Sequence, residues 1–312
     1  DLFAQLEWQV SPAVALSAGL RHGRARLSAD DRYLSNGDDS GAVDYGYTLP
    51  VLGARWQLAP GWQLHASVAR GAETPTLGEL AYRADGSGGF NTDLKAQTSH
   101  QAELGLRWRD GAWRVDATAF QARVSDEIGV ATNAGGRSSF QNVGRTRRQG
   151  LELATAWRPA GGWRAATALT WLDATYLDNF LTCGAPPCNT PTLPVEAGNW
   201  VAGAPRASGW AEVAWRDTAW GELGAEWRAS GHVAVNDRNT DHAHSWQVLA
   251  LRWSQRFPLA GGQTAELLAR VDNLADRRYA GSVIVNDGNG RFFEPGAPRS
   301  VLLGLRLLDG RP

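Results

Sequence analysis

From Gln101 to Ala122 apolar and polar side chains alternate with a period of two. Ala102, Leu104, Leu106 and Trp108 share one face, and Gln101, Glu103, Gly105, Arg107 and Arg109 the other, which predicts a β-strand. After Asp110, Gly111 and Ala112 the alternation resumes, with Trp113, Val115, Ala117 and Ala119 set against Arg114, Asp116 and Thr118. Asp-Gly between two such runs is a hairpin signal. Both tryptophans fall on the apolar face beside the turn. Aromatic side chains ending an aliphatic face are what a membrane boundary selects.

The same cycle recurs along the chain. Leu2, Ala4, Leu6, Trp8 and Val10 form the apolar face of a first strand that turns at Ser11 and Pro12, and the return runs from Val14 to about Ala25. Polar excursions are expected from Leu27 to Gly46, Gly71 to Thr98, Leu177 to Ala204 and Asn236 to Ser245. Between them short turns are flanked by tryptophan on both sides: Trp56 and Trp62, Trp108 and Trp113, Trp157 and Trp163, Trp215 and Trp220. Short turns at one end, with indoles beside them, and long loops at the other are the asymmetry of an outer-membrane barrel with an aromatic girdle at its periplasmic interface. A soluble core has no reason to gather indoles at one end.

The pattern therefore predicts an all-β chain, an antiparallel transmembrane β-barrel of about thirteen strands. That number is odd, whereas closed single-chain bacterial barrels have an even number. An open arc leaves two edges in lipid, where each unpaired backbone group costs several kcal/mol. A partial barrel is the expectation.

Composition agrees. The 15 tryptophans exceed the needs of an ordinary core, and 36 glycines supply turns. Mean hydropathy is -0.34 and no run of 18 apolar residues occurs, so no transmembrane helix is expected. A barrel keeps such an average, because lipid-facing and lumen-facing residues alternate. Net charge is -1, and the lysines and arginines are scattered singly, which leaves no nucleic-acid footprint. Methionine is absent even at position 1 and no signal peptide is present, so a piece of a longer protein is expected.

Specific runs go further. Glu73 to Leu80 (ETPTLGEL), Asn91 to Lys95 (NTDLK) and Ser99 to Gly105 (SHQAELG) follow one another. Asn142, Val143 and Gly144 then precede Gln149, Gly150, Leu151, Glu152 and Leu153. Near the end come Val271 to Tyr279 (VDNLADRRY) and Arg291 to Arg299 (RFFEPGAPR). In kind and order these runs resemble TonB-dependent outer-membrane receptors of the siderophore type. Thr92 stands where that family has proline, and Ala96 and Gln97 where it has Pro-Glu. The family also ends on an aromatic residue, whereas this chain passes Leu307 to Asp309, Gly310, Arg311 and Pro312.

The resemblance implies the bacterial outer membrane and a barrel of about 22 strands with a plug. Residues 1–312 would be the C-terminal part of that barrel domain, starting near the tenth strand. The plug, the TonB-contacting segment and about nine strands would lie outside it, so isolated transport activity is not expected. Implied partners are outer-membrane lipid, a ferric siderophore and, through the segment outside this chain, the TonB complex. Cobalamin, haem or another metal complex are alternative cargoes. An outer-membrane barrel enzyme, adhesin or passive porin is the reading from another class, but no GxSxG, HExxH or Walker pattern supports an enzyme.

Candidate chemistry gathers in the loops. Cys183 and Cys188 lie in one outer loop and are expected to form a disulfide in an oxidising compartment, a soft metal site being the alternative. His242 and His244, beside Asp241, suit a metal or haem, or form a solvated loop. Tyr82, Arg83, Phe90, Arg137, Arg238, Arg291 and Phe292 suit an anionic catecholate or hydroxamate iron chelate, since arginine binds oxyanions and aromatic faces bind flat ligands. Loop arginines are also ordinary surface. Glu73 and Glu79 are either ligand contacts or rim structure. Glu103, Arg107, Arg109, Arg114, Asp116, Glu152, Glu222, Glu226, Arg228, Glu266, Arg270 and Asp272 face the lumen, where pairing with a plug and with each other competes with substrate contact. No resident cofactor or metal is expected.

Overall fold

The structure, a computed structural model, describes residues 1–308 apart from 84, 86–87, 135–136, 186–187 and 189. The divergent end, Asp309 to Pro312, lies outside the described residues.

The strands in chain order are β1 (Leu2–Ser11), β2 (Val14–Ala29), β3 (Gly41–Ala59), β4 (Trp62–Glu73), β5 (Gln97–Asp110) and β6 (Trp113–Ser125). A loop hairpin, β7 (Ile128–Ala134) and β8 (Arg137–Asn142), precedes β9 (Thr146–Trp157) and β10 (Trp163–Tyr176). Then follow β11 (Phe180–Thr182), β12 (Leu193–Val195), β13 (Ala207–Asp217), β14 (Gly221–Ser230), β15 (Val233–Ala234), β16 (His242–Ala243) and β17 (Trp246–Pro258). The chain closes on β18 (Thr264–Asp272), β19 (Ala280–Val283), β20 (Phe293–Pro295) and β21 (Ser300–Leu308). One 13-stranded antiparallel sheet takes all the long strands in sequence order, from β1 at one edge to β21 at the other. The remaining eight strands pair two by two within loops. An open arc of the expected size is thus what forms.

Period two sets the two faces. Leu104 is 53% exposed, Leu151 57% and Leu303 79%, so the apolar face is bare and demands a non-aqueous solvent. The polar face carries the ion pairs. Arg107 Nε lies 2.6 Å from Asp116, and Glu222, only 5% exposed, takes Arg164 and Arg216 at 2.7 Å and Arg252 at 2.8 Å. Glu212 joins this net through Arg164 at 3.3 Å and Arg252 at 3.2 Å, so Arg164, Glu212, Arg216 and Arg252 extend the lumen set expected from the sequence. Their parity on the polar face is the signal for them.

The tryptophans meet across neighbouring hairpins rather than across a turn. Trp62 faces Trp108 at 5.6 Å between ring centroids, Trp113 faces Trp157 at 5.7 Å, and Trp163 faces Trp215 at 6.2 Å. Within the first hairpin Asp110 opposes Trp113, so Gly111 and Ala112 form the two-residue loop. Gly111 holds φ 46° at its first central position, the left-handed conformation that glycine adopts without cost.

The first excursion is shorter than the polar pattern suggests. β2 runs to Ala29 and β3 begins at Gly41, because Val43 and Tyr45 pack with Leu80, Phe90 and Leu94 in a small core above the sheet. The second loop contains one helical turn, α1 (Leu77–Leu80), too short to show a period. It is fixed by a capping box: Glu79 accepts from Thr76 N at 2.7 Å while Thr76 Oγ1 accepts from Glu79 N at 3.3 Å.

Candidate functional site

At the outer end the loops converge because their polar side chains satisfy one another. Asp237, in the loop between β15 and β16, is buried to 5% exposure. Its carboxylate accepts from Tyr176 Oη at 2.7 Å and from Asn286 Nδ2 at 2.8 Å, and its amide donates to Asn286 Oδ1 at 3.1 Å. Asn199 Nδ2 donates to its carbonyl at 2.9 Å. Beside it Asn239, at φ 54°, accepts from Trp200 N at 2.7 Å and donates to Trp200 O at 2.9 Å. The side chain and main chain of Asp237 together thereby tie its own loop to the end of β10 and to two further loops. Burial raises the Asp237 carboxyl above the ordinary carboxylate range, against the opposing hydrogen bonds from Tyr176 and Asn286. Sequence reasoning missed these hub residues because no local spacing joins positions 176, 199, 237 and 286.

Next to this hub the loops enclose a cavity of about 710 Å³. Arg238, Arg291 and Phe292 line it, with Asn236 and Asp287, and Cys183 sits on its wall. The structure bridges Cys183 and Cys188, which closes the β11–β12 loop at that wall. Asp287 Oδ2 accepts from Arg291 N at 2.7 Å and Asn289 N at 3.1 Å, so this carboxylate is engaged by backbone. Two arginines and one phenylalanine therefore line one cavity from two loops. That arrangement suits a flat, anionic ligand.

The other candidates lie elsewhere. The Arg137 guanidinium stands 5.1 Å from the Tyr82 ring centroid in the loops above β4 to β9. Phe90 is 5% exposed in the small core, so its ring packs rather than presents a face. Arg83 lies in the same loop, half-buried. His242 meets the Trp200 ring edge at 5.9 Å and His244 meets His232 at 6.1 Å. Among the described residues no group of three or more His, Cys, Asp or Glu could hold a metal ion. Glu79 is spent on its capping box, and Glu73 accepts from Gln97 at 2.6 Å.

Residues 1–274 match the family model described as TonB dependent receptor-like, beta-barrel. The chain belongs to this family of TonB-dependent receptors. It is 23% identical over 165 residues to the pesticin receptor of Yersinia enterocolitica, a match covering 52% of this chain and 24% of that receptor. Among solved structures it resembles the siderophore receptor PiuA of Acinetobacter baumannii, with TM-score 0.77, 16% identity, and coverage of 97% of this chain and 42% of that one. The ferric yersiniabactin uptake receptor FyuA of Yersinia pestis gives TM-score 0.71 and 20% identity, covering 98% and 44%. The copper transporter OprC gives 0.73 and 18%, covering 98% and 47%. The chain thus spans less than half of these structures. As a TonB-dependent receptor barrel it belongs in the bacterial outer membrane. Its two faces, one bare and apolar and the other ion-paired, are of the kinds that a barrel wall presents.

Proposed function

We propose that residues 1–312 form the C-terminal part of the barrel domain of a TonB-dependent receptor for a ferric siderophore. The chelate is captured at the outer cavity and moved inward after rearrangement of a plug supplied by the rest of the receptor, which also contacts TonB. The carrying observation is the convergence of Arg238, Arg291 and Phe292 on one cavity of about 710 Å³ in a fold of this family. Ferric catecholates and hydroxamates present oxyanions and flat ligand arms, which guanidinium groups and a phenyl ring bind. The likeness to PiuA, a siderophore receptor, and to FyuA, a ferric yersiniabactin uptake receptor, supports a chelate as cargo. At the opposite end the paired tryptophans from Trp56 to Trp220 act as the periplasmic-side girdle.

The test is growth of an iron-starved strain carrying the intact receptor on a panel of ferric siderophores. Growth on at least one chelate is expected, and R238A with R291A should weaken its binding by about 10- to 100-fold, the loss of one to two charge-assisted contacts. Growth on none of the chelates, with uptake of cobalamin or haem instead, overturns the siderophore reading.

A further inference from the structure

Two connected hollows lie on the lipid-facing side of the outer half of the sheet. The larger, about 1030 Å³, runs over Leu104, Leu151, Leu169, Trp171 and Trp227 and ends at Arg277. The smaller, about 560 Å³, shares Trp171, Ala207 and Gly231 with it and adds Trp200, Arg206, His232 and His242. Cross-strand pairing puts both on the apolar face: Trp163 opposes Trp215, Trp171 opposes Ala207, and Thr175 bridges to Trp200.

Their depth follows from strand geometry. Trp163 stands at the short-turn end of β10, and Trp171 lies roughly 26 Å further along the strand, or about 20 Å along the membrane normal at a tilt near 40°. Trp171 therefore stands close to the outer limit of the hydrocarbon. Trp200, beside Thr175, stands about 10 Å higher, at the level of lipid headgroups.

At that level Asp173, two positions beyond Trp171, is already paired with Arg147 at 3.4 Å. Lumen-facing Arg107, Arg164, Arg252 and Arg270 each have a carboxylate partner. The Arg206 guanidinium instead lies 4.2 Å from the Trp200 ring centroid, and its buried Nε has no hydrogen-bond partner among the described residues. Thr175 Oγ1, also buried, has none either. A guanidinium held flat on an indole keeps its outer N–H groups free for two parallel hydrogen bonds to a phosphate. Apolar trough and unpaired cation are contiguous, as an anionic amphiphile requires.

We propose that these hollows seat one anionic, phosphate-bearing lipid of the outer leaflet, an acyl chain along the trough past Trp171 and its phosphate against Arg206 and Trp200. The site lies on the outer wall of the barrel, away from the loop cavity, and does not depend on the nature of the cargo.

The experiment uses the intact receptor, delipidated in detergent, and native mass spectrometry with diphosphoryl lipid A as the probe. Phosphatidylcholine and inorganic phosphate are the comparison probes. Retention of one lipid A per receptor is expected, with occupancy reduced about tenfold in R206A, as loss of one charge-assisted contact implies, and only partly restored in R206K, whose point charge cannot form the two parallel hydrogen bonds of a stacked guanidinium. A207F narrows the junction of the two hollows with Arg206 in place. It should also lower occupancy, and it decides the question where R206A does not insert. Equal retention in wild type, R206A and A207F overturns the proposal. So does equal retention of phosphatidylcholine, or displacement of lipid A by millimolar phosphate, which would make this a small-anion site.

Discussion

At the short-turn end of the sheet each strand reaches the next through a few residues, and its side chains are placed by period two alone. At the outer end the connections run up to the 30 residues between β10 and β13, and side-chain hydrogen bonds to one buried carboxylate hold them. Both ends bury charge. Near the turns Glu222 is matched by three arginines, whereas at the outer end the Asp237 carboxylate is met by a phenol, one side-chain amide and backbone. The difference teaches that one end is built to be rigid and the other to be reorganised. An ion-pair net holds without adjustment, while a single carboxylate fed by neutral donors leaves loops that one protonation or one ligand can shift.

The largest effect should come from the rigid end. E222A leaves Arg216 without its carboxylate and Arg164 and Arg252 sharing Glu212 alone, beside a vacated, nearly buried position. Loss of about 3 kcal/mol is expected, since three guanidinium groups then share a single carboxylate. The readout is the temperature at which the folded receptor loses its heat-modifiable band on a denaturing gel. E222Q should fall between. An unchanged midpoint for E222A would mean that the net is solvated and that the two ends do not differ in rigidity.

At the outer end Y176F removes one donor to Asp237 and should cost about 2 kcal/mol of loop order, the desolvation of a carboxylate oxygen left short of a partner. Trypsin cleavage after Arg238 should speed up while the heat-modifiable band stays at its wild-type temperature. A drop in that temperature equal to that of E222A would show that the ends unfold as one unit.

The hub should also respond to pH, with a sign fixed by burial. Asp237 holds its proton to a higher pH in the native loops than in an opened chain, because burial outweighs the hydrogen bonds that favour its charge. Its contribution is therefore full below the ordinary carboxylate range and is lost as pH rises through the native value. Hydrogen-exchange protection of residues 235–241, taken relative to the intrinsic exchange rate at each pH, should fall across that rise in wild type and stay level in D237N. A fall in protection on acidification instead would reverse the assignment.

The same contrast explains what the sequence could show. Alternation from Gln101 to Ala122 located β5 and β6, and the tryptophans marked the turn end, because a strand's face is decided by neighbours two positions away. The loops carry no such rule. Leu80, Phe90 and Leu94 belong to one core with Val43 and Tyr45, yet in the sequence they sit among polar residues and read as loop. Arg238, Arg291 and Phe292 are candidates by residue type alone, and the cavity that they share depends on contacts such as Asp237 to Asn286, 49 positions apart. Asn142 and Asn273, recognised as motif residues, hold loop backbone: Asn142 accepts from Lys95 N at 2.9 Å, and Asn273 from Arg277 N at 2.9 Å.

The smallest effect tests the turn end itself. Trp113 faces Trp157 on the adjacent hairpin at 5.7 Å, whereas Trp108, on its own hairpin, opposes Val115 and stacks on Trp62 at 5.6 Å. Aromatic pairs contribute about 0.5–1.5 kcal/mol beyond their burial. A double-mutant cycle of W113A and W157A, read from unfolding midpoints in detergent, should therefore give a coupling of about 1 kcal/mol. The cycle of W108A and W113A should give almost none, although those two are closer in sequence and share a turn. Equal coupling in both cycles would mean that the indoles act only as independent interface anchors in lipid. Coupling confined to the facing pairs would mean that they also stitch each hairpin to the next, extending the rigidity of the turn end sideways around the sheet.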